Sequence, residues 1–314
     1  ISRSKSRMSW GIEVPFDKNF VTYVWFDALI NYISGIGYPG DALRLNKYWP
    51  ADFHIIGKDI LRHHAVYWPI MLHALGLKAP NTIFAHGWWI VKGEKMSKSK
   101  GNVVDPVAII DKYGIDAYRY FLLREVPFGL DGAFSEDALI SRYNSDLAND
   151  IGNLLNRTLT MVEKYFEGKI PEAKVHSLQS TVPVEGLKDK SVSLAPELEK
   201  RMSELDFAGA LSKIWEVVNT ANKLIEDAKP WTLAKENRID ELRSLIYSLL
   251  ESLRIVALSI YPFMPATSKG IMKQLGIEED PSKMKFSDMN TWGVLKEGLK
   301  VNKSAPLFPR IETT

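Results

Sequence analysis

ADFHIIGKDILRHHAVYWPIMLHALG, residues 51–76, changes its hydrophobic period part-way along. Residues 51–57 are a short run of aromatic and β-branched residues, the signature of a buried strand. From Asp59 the spacing becomes helical: Ile60, Val66, Ile70, Met71 and Leu75 recur at near-helical intervals, and Gly76 ends the pattern. A second strand-like run, NTIFAHG (81–87), follows at once, and NFVTYVWF (19–26) followed by DALINYISGIG repeats the theme upstream. Strand–helix–strand alternation of this kind predicts a parallel α/β sheet, whose ligands bind beyond the carboxyl ends of the strands. The strands are too few for a complete doubly wound domain. With Ile1 falling directly inside structured sequence, this predicts a fragment.

Working outward, IFAHGWWIV leads into KGEKMSKSKGNVV (92–104), where Lys92, Lys95, Lys98 and Lys100 share a short glycine-flanked loop with one glutamate. Most such charge runs are solvated faces. Placement after a strand of an α/β sheet also suits a phosphate visitor, because lysine is a compact point charge and nucleotidyl transfer is largely positioning and charge neutralisation. PVAIIDKYG and DAYRYFLLREV then read as two connector helices. From Ser135 the pattern is helical: a long amphipathic helix with Leu139, Tyr143, Leu147, Ile151, Leu154 and Met161 stops near Gly168, and a polar stretch over 168–194 reads as a surface loop. LDFAGALSKIWEVVNTANKLIEDA and IDELRSLIYSLLESLRIVALSIYPFM follow as two more long helices. The expected fold class is α/β followed by all-α: half of a nucleotide-binding sheet domain (1–105), a connector (106–134), and an antiparallel helical bundle (135–314).

Composition narrows the function classes. The 314 residues carry 46% hydrophobic side chains, nine tryptophans and a net charge of +2, so any nucleic-acid contact must use local patches. No apolar run approaches the roughly 20 residues of a membrane span, and the first residues show no secretory h-region. There is no cysteine, which excludes disulfides and thiolate metal sites within the chain and fits a cytoplasmic location. Five of the six histidines fall between His54 and His86. Their spacing matches no common metal-site pattern, and no metal site is expected.

Three groups of residues carry candidate chemistry. Gly57 and Asp59 lie just past a strand end, where a glycine lets a ligand approach and a carboxylate can accept ribose hydroxyl protons; Asp59 suits a helix cap equally well. Trp25, Ala28, Leu29 and Tyr32 share one helical face, which is either core or an aromatic wall for an apolar side chain. Asn149, Asn153 and Arg157 are spaced by four, opposite the apolar stripe, and present planar forks suited to base edges. Trp231 follows Pro230, as a packed helix start or as a stacking platform for a base.

KMSKS (95–99) with GNVVDP resembles the signature loop of the class I aminoacyl-tRNA synthetases. YVWFDALINY, IGKDILRHHAVYWP, GIDAYRYFLLRE, NDIGNLLNRT, KPW and the closing LFPRIE are similar to the methionyl family in particular. The resemblance implies a Rossmann-like catalytic domain whose second half lies in 1–105, a stem-contact-like connector and an anticodon-binding bundle. It implies a methionine site formed or supported by Arg3, Trp25, Ala28, Leu29, Tyr32, His63, His64 and Trp68, with Arg3 near the carboxylate end. Where some family members have phenylalanine this chain has His63, so that residue departs from the pattern. Glu13, Gly57 and Asp59 would hold adenosine, and Lys95, Met96, Ser97, Lys98 and Ser99 the phosphates, with Lys95 and Lys98 as the catalytic lysines. Asn153, Arg157 and Trp231 would read a CAU anticodon. The implied reaction uses ATP with Mg2+, methionine and tRNA(Met). The family's His-Ile-Gly-His signature and its zinc-carrying insertion are absent from the sequence, so a missing amino-terminal half of the catalytic domain is an expected partner. The competing expectation is a stand-alone, non-catalytic anticodon-binding module.

Overall fold

The computed structural model describes residues 2–91, 93–96, 103–172 and 182–312. It divides by packing into two compact units: residues 1–88 with 129–131, and residues 89–128 with 132–314. This division follows contacts, whereas the boundaries expected at 105 and 134 follow roles.

The first unit holds two small sheets. Strands β4 (Phe53–Gly57) and β5 (Thr82–His86) pair in parallel, Phe53 opposite Thr82 and Gly57 opposite His86. The strand–helix–strand expectation for 51–87 is met here. The crossover is composite: a 3₁₀ turn at Lys58–Ile60, a π-helical turn at His63–Tyr67, and α3 (Trp68–Ala74). The upstream strand departs from expectation. The sheet residues are β3 (Asp17–Thr22), and Val24 already starts a helix, here called α1 (Val24–Ser34). β3 pairs antiparallel with its near neighbours β1 (Ser2–Ser4) and β2 (Glu13–Val14) in the order β1-β3-β2, not in parallel with β4. The physical reason is proximity: a tight connection between strands closes an antiparallel pair, whereas a parallel pair needs a crossover. Helix α2 (Ala42–Tyr48) is capped by Asp41, whose carboxylate accepts from the Arg44 N–H at 2.9 Å. The buried core is small: Leu29, Ile33, Trp68, Met71 and Leu72, from α1 and α3 with the π-turn between the strands.

The second unit opens with a three-stranded sheet, order β7-β6-β8, in which β6 (Trp89–Val91) pairs antiparallel with β7 (Glu94–Lys95) and parallel with β8 (Gly132–Ala133). The two connector helices form as read, α4 (Pro106–Tyr113) behind an Asp105 cap and α5 (Ile115–Arg124). They pack into the same unit as the later helices. Asp116 accepts from the Thr267 N–H and hydroxyl at 2.6 and 2.8 Å, and Arg119 donates to the carbonyls of Pro262 and Phe263.

The long amphipathic helix starts at Ser135, whose hydroxyl accepts from the Ala138 N–H, and ends at Glu167 and Gly168, both at positive φ. It is not one α-helix. α6 (Glu136–Arg142) passes into a π-helical segment, Tyr143–Gly152, before α7 (Asn153–Phe166). The stretch read as a loop over 168–194 contains a further helix, α8 (Glu185–Val192), held by buried Leu187 and Ser191; residues 173–181 lie outside the described ones. α9 (Leu194–Ser203), α10 (Phe207–Ala228), α11 (Pro230–Lys235), α12 (Ile239–Ile260) and α13 (Pro265–Gln274) complete the all-helical part. Its core is extensive and runs from Ile109 to Phe308. The closing LFPRIE segment is tied to the π-helical turn, where Asn144 accepts from the Ile311 N–H and donates to its carbonyl at 2.9 and 2.8 Å. No helix among the described residues is long and apolar enough to cross a membrane.

Candidate functional site

In the first unit, α1 and the π-turn bring most of the predicted methionine-site residues together. Trp25 stacks on His63 with centroids 4.3 Å apart and meets His64 edge-on at 5.8 Å. Tyr32 shares a hydrogen bond of 2.9 Å with His64 Nε2 and lies 5.9 Å from the Trp68 ring. The other nitrogen of His64, Nδ1, lies 3.0 Å from the Ile60 carbonyl, which can only accept. In the neutral ring Nδ1 therefore carries the proton, and the Tyr32 hydroxyl donates to Nε2. Arg3 places its guanidinium 4.3 Å from the centroid of Tyr23, whose ring is 6.4 Å from that of His63. Arg3 thus stands at the margin of the cluster.

The four-residue face on α1 serves as both wall and core. Leu29 and Trp68 are fully buried in the unit's core, whereas Trp25, Ala28 and Tyr32 keep solvent-facing surface. The first pair backs the site; the others line it. His54 and Trp49, absent from the sequence-based set, complete the ring, with His54 4.3 Å from Tyr32 and 5.9 Å from Trp49. The alternation of β4, which buries His54 and Ile56 on one face, was the signal that could have found His54. Burial and then the neighbouring His64 push the His54 pKa below its ordinary value; burial and then His64 and Arg62 do the same to His63. Three buried ring nitrogens, His54 Nε2, His63 Nδ1 and Trp68 Nε1, have no hydrogen-bond partner. Buried polar atoms are rarely left so, which marks this ring as a place where a polar ligand or water completes the bonding. The polarisable rings suit a thioether as well.

Gly57 and Asp59 meet at the carboxyl end of β4. A Cβ on Gly57 would lie 2.7 Å from Asp59 Oδ1, so glycine is what lets the carboxylate fold back over the strand end. The Trp88 indole donates to the same oxygen at 3.4 Å, and Lys58 holds its ammonium 4.1 Å from the centroid of the Trp88 ring. Glu13 is placed differently: it pairs with Lys5 within the β1-β3-β2 sheet, a sheet separate from β4 and β5. Of the phosphate-loop residues, Lys95 is the last residue of β7 and Met96 is half-buried against the second unit's core. Ser97, Lys98 and Ser99 lie outside the described residues. No group of three or more His, Asp or Glu side chains that could hold a metal ion occurs among the described residues.

In the second unit Asn153 and Arg157 fall on the solvent side of α7, opposite buried Leu154, Leu155 and Leu159. Arg157 pairs with Glu226 at 2.6 Å, which sets α7 beside the last turn of α10. Lys229, at positive φ, then turns the chain into α11 with Pro230 at its first position, and Trp231 emerges 49% exposed. The bland reading of Trp231 as a packed helix start does not match that exposure. Asp150, one turn before Asn153, has its pKa pushed up to about 6 by burial first and by Asp146 second, with Trp215 pulling the other way.

The strand-end Gly57–Asp59 pair, the ring of aromatic and histidine side chains and the sequence KMSKS at 95–99 point to a class I tRNA synthetase. Residues 1–159 match the family described as tRNA synthetases class I (M), and residues 171–314 match the anticodon binding domain of methionyl tRNA ligase. The methionine–tRNA ligase of Caldanaerobacter subterraneus subsp. tengcongensis is 51% identical over 98% of the chain and 48% of its own length, and that of Bacillus subtilis is 47% identical over 98% and 46%. A solved structure of Mycobacterium tuberculosis methionyl-tRNA synthetase in complex with methionyl-adenylate superposes with a TM-score of 0.87 at 41% identity, covering 99% of the chain and 60% of its own. The chain belongs to the methionyl-tRNA synthetase family. It spans about half the length of the curated relatives it matches.

Proposed function

We propose that the chain carries the second half of the catalytic domain and the anticodon-reading part of a methionine–tRNA ligase. The first step joins methionine to ATP: a methionine carboxylate oxygen attacks the α-phosphorus, the bond to the β-phosphate oxygen breaks, and pyrophosphate leaves. A ribose hydroxyl of the tRNA terminus then attacks the aminoacyl carbonyl, and AMP leaves. Mg2+ enters as part of the MgATP substrate.

In this reading Trp25, Ala28 and Tyr32 line the methionine side-chain site, with Leu29 and Trp68 behind them, His63 and His64 beside them and Arg3 toward the carboxylate. Gly57 and Asp59 receive the ribose, with Glu13 on the adenosine side. Lys95 and Lys98 neutralise the departing pyrophosphate, where charge develops in the transition state, and Met96, Ser97 and Ser99 belong to the ATP-binding loop. Asn153 and Arg157 hydrogen-bond CAU anticodon bases and Trp231 stacks on one of them. The catalytic part reaches to about residue 105 as the second half of a Rossmann-like fold, 106–134 is a stem-contact-like connector, and the remainder is an antiparallel bundle; the protein works in the cytoplasm.

The observation that carries the reading is the coincidence, in one unit, of the aromatic–histidine ring and the strand-end Gly57–Asp59 pair. The uncovered face of that unit supports a further partner. Parallel sheets are covered on both faces, yet Phe53 and Ile55, on the face of β4 opposite buried His54 and Ile56, stand exposed. A segment supplying the other half of the catalytic domain, within the length by which the relatives exceed this chain, fits that face. Methionine-dependent ATP–pyrophosphate exchange tests it: the chain alone is expected to be inactive, and adding the upstream segment to restore exchange. If exchange stays absent while tRNA binding persists, the chain is an anticodon-binding module instead.

A further inference from the structure

Residues 129–131 belong to the first unit although the residues on both sides of them belong to the second. They lie against the carboxyl end of β5. A Cβ on Gly87 would fall 2.1 Å from the Leu130 carbonyl oxygen, and one on Gly129 would fall 3.3 Å from the Phe84 ring. The first distance admits no side chain, so Gly87 is the residue type this approach requires. The strap ends in Asp131, whose carboxylate makes three bonds. Both oxygens accept from Lys58 Nζ at 2.6 Å, and Oδ1 also accepts from the Trp88 N–H at 2.9 Å.

The two groups that Asp131 holds are the two that flank Asp59. Lys58 precedes Asp59 in the chain, and the Trp88 indole donates to Asp59 Oδ1. Lys58 also lies over the Trp88 ring, so the arrangement closes on itself: Asp131 to Lys58, Lys58 to Trp88, Trp88 to Asp59. We propose that Asp131 is a positioning residue for the ribose-binding carboxylate of Asp59, acting through Lys58 and Trp88. This rests on the reading of Asp59 given above. The Lys58 hydrogen bonds and then the Trp88 N–H hold the Asp131 carboxyl below its usual range. As a half-exposed ion pair, Lys58–Asp131 contributes little to stability. Its consequence is geometric: displacement of a binding group by about 1 Å costs on the order of 10²-fold.

The test uses the exchange-competent protein, the chain with its upstream segment, and compares ATP with its 2′- and 3′-deoxy analogues. Asp59→Ala is the control and is expected to abolish the preference for ATP over the deoxy analogue that lacks the bound hydroxyl. If Asp59→Ala keeps the full preference, the ribose reading of Asp59 has failed, and the inference with it. Asp131→Ala is expected to raise the KM for ATP about tenfold and shrink the preference, with the methionine KM unchanged. Asp131→Asn, which still accepts from the Trp88 N–H, should fall between it and the parent. Trp88→Phe should reproduce the effect and not add to that of Asp131→Ala. An Asp131→Ala protein that keeps the parent's preference, beside an Asp59→Ala protein that has lost it, overturns the positioning role. So does a parallel rise in both KM values, which marks general damage to the unit.

Discussion

The two units solve the problem of burial differently. The larger closes its own core: α10 and α12 bury apolar residues along nearly their whole lengths, and even Glu251 and Arg254 are interred as a pair at 2.7 Å. Glu251 is satisfied by the N–H groups of Gly293, Val294 and Leu295, as a buried charge must be. The smaller unit buries a handful of side chains around Trp68 and leaves most of the exposed large apolar residues among those described, Phe16 at 92% and Trp10 at 78% among them. A two-stranded sheet is too small to close a core by itself. The candidate sites differ in the same sense. The aromatic ring of the first unit is backed by its core, as a small-molecule site needs; Trp231 and Asn153 stand open on helices, as a polymer needs.

The largest expected effect probes that asymmetry directly. Trp68 is fully buried at the centre of the small core, and Trp68→Ala should cost about 3–5 kcal/mol there. Hydrogen exchange followed by mass spectrometry should show protection lost across 24–76 and kept across 207–260. Equal loss in both segments would show that the two cores unfold as one. Next in size is Trp231→Ala. Loss of a stacking platform is worth about 1–3 kcal/mol per base, so tRNA(Met) affinity should fall roughly 5- to 150-fold with no change in melting temperature. Unchanged affinity would remove Trp231 from the RNA-binding face.

Legibility from sequence followed the range of the interactions. The α1 face and the Asn153–Arg157 spacing were readable because each is a periodicity within one element, and the β4–crossover–β5 unit because each of its elements carries its own local pattern and they follow one another directly in the chain. The strand read at 19–26 failed in its partner: β3 pairs with β1 and β2, and pairing is a tertiary choice that local pattern does not encode. The π-helical turns at 63–67 and 143–152 were invisible because apolar spacing does not distinguish them from α-helix over so few residues. Asp131 was unreadable for another reason. It lies 73 residues from Lys58 and 43 from Trp88, in a turn-rich segment, FGLDG, that suggests only a loop.

Acid separates the two units further. His54 has a folded pKa below its ordinary 6.5, so the unfolded chain binds protons more readily. The stability this gives the first unit is complete above about pH 6.5 and is lost as pH falls below it through the lowered folded pKa. Asp150 works in the opposite direction. Its folded pKa of about 6 lies above the ordinary 3.8, so its burial penalty is present at pH 7 and is relieved as pH falls from about 6 toward 4. Asp150→Asn should therefore stabilise the second unit at pH 7 by about 1–2 kcal/mol after discount for solvent, and flatten its response to acid. Denaturant melts at pH 7 and pH 5 decide this; a variant that is less stable at pH 7 would mean that the carboxylate is satisfied where it stands.

The smallest effect bears on how the aromatic ring selects its ligand. Tyr32→Phe keeps the ring beside His54 and Trp68 and removes only the hydroxyl that donates to His64 Nε2. A net hydrogen bond is worth about 0.5–1.5 kcal/mol, which in the exchange assay corresponds to a two- to twelvefold rise in the methionine KM. His64 stays tied to the Ile60 carbonyl through Nδ1, so its ring should tilt rather than leave. Tyr32→Ala removes the wall itself and should cost more. If the two variants behave alike, the hydroxyl and not the ring is what Tyr32 contributes, and the first unit's site is a hydrogen-bonded one that the apolar face merely surrounds.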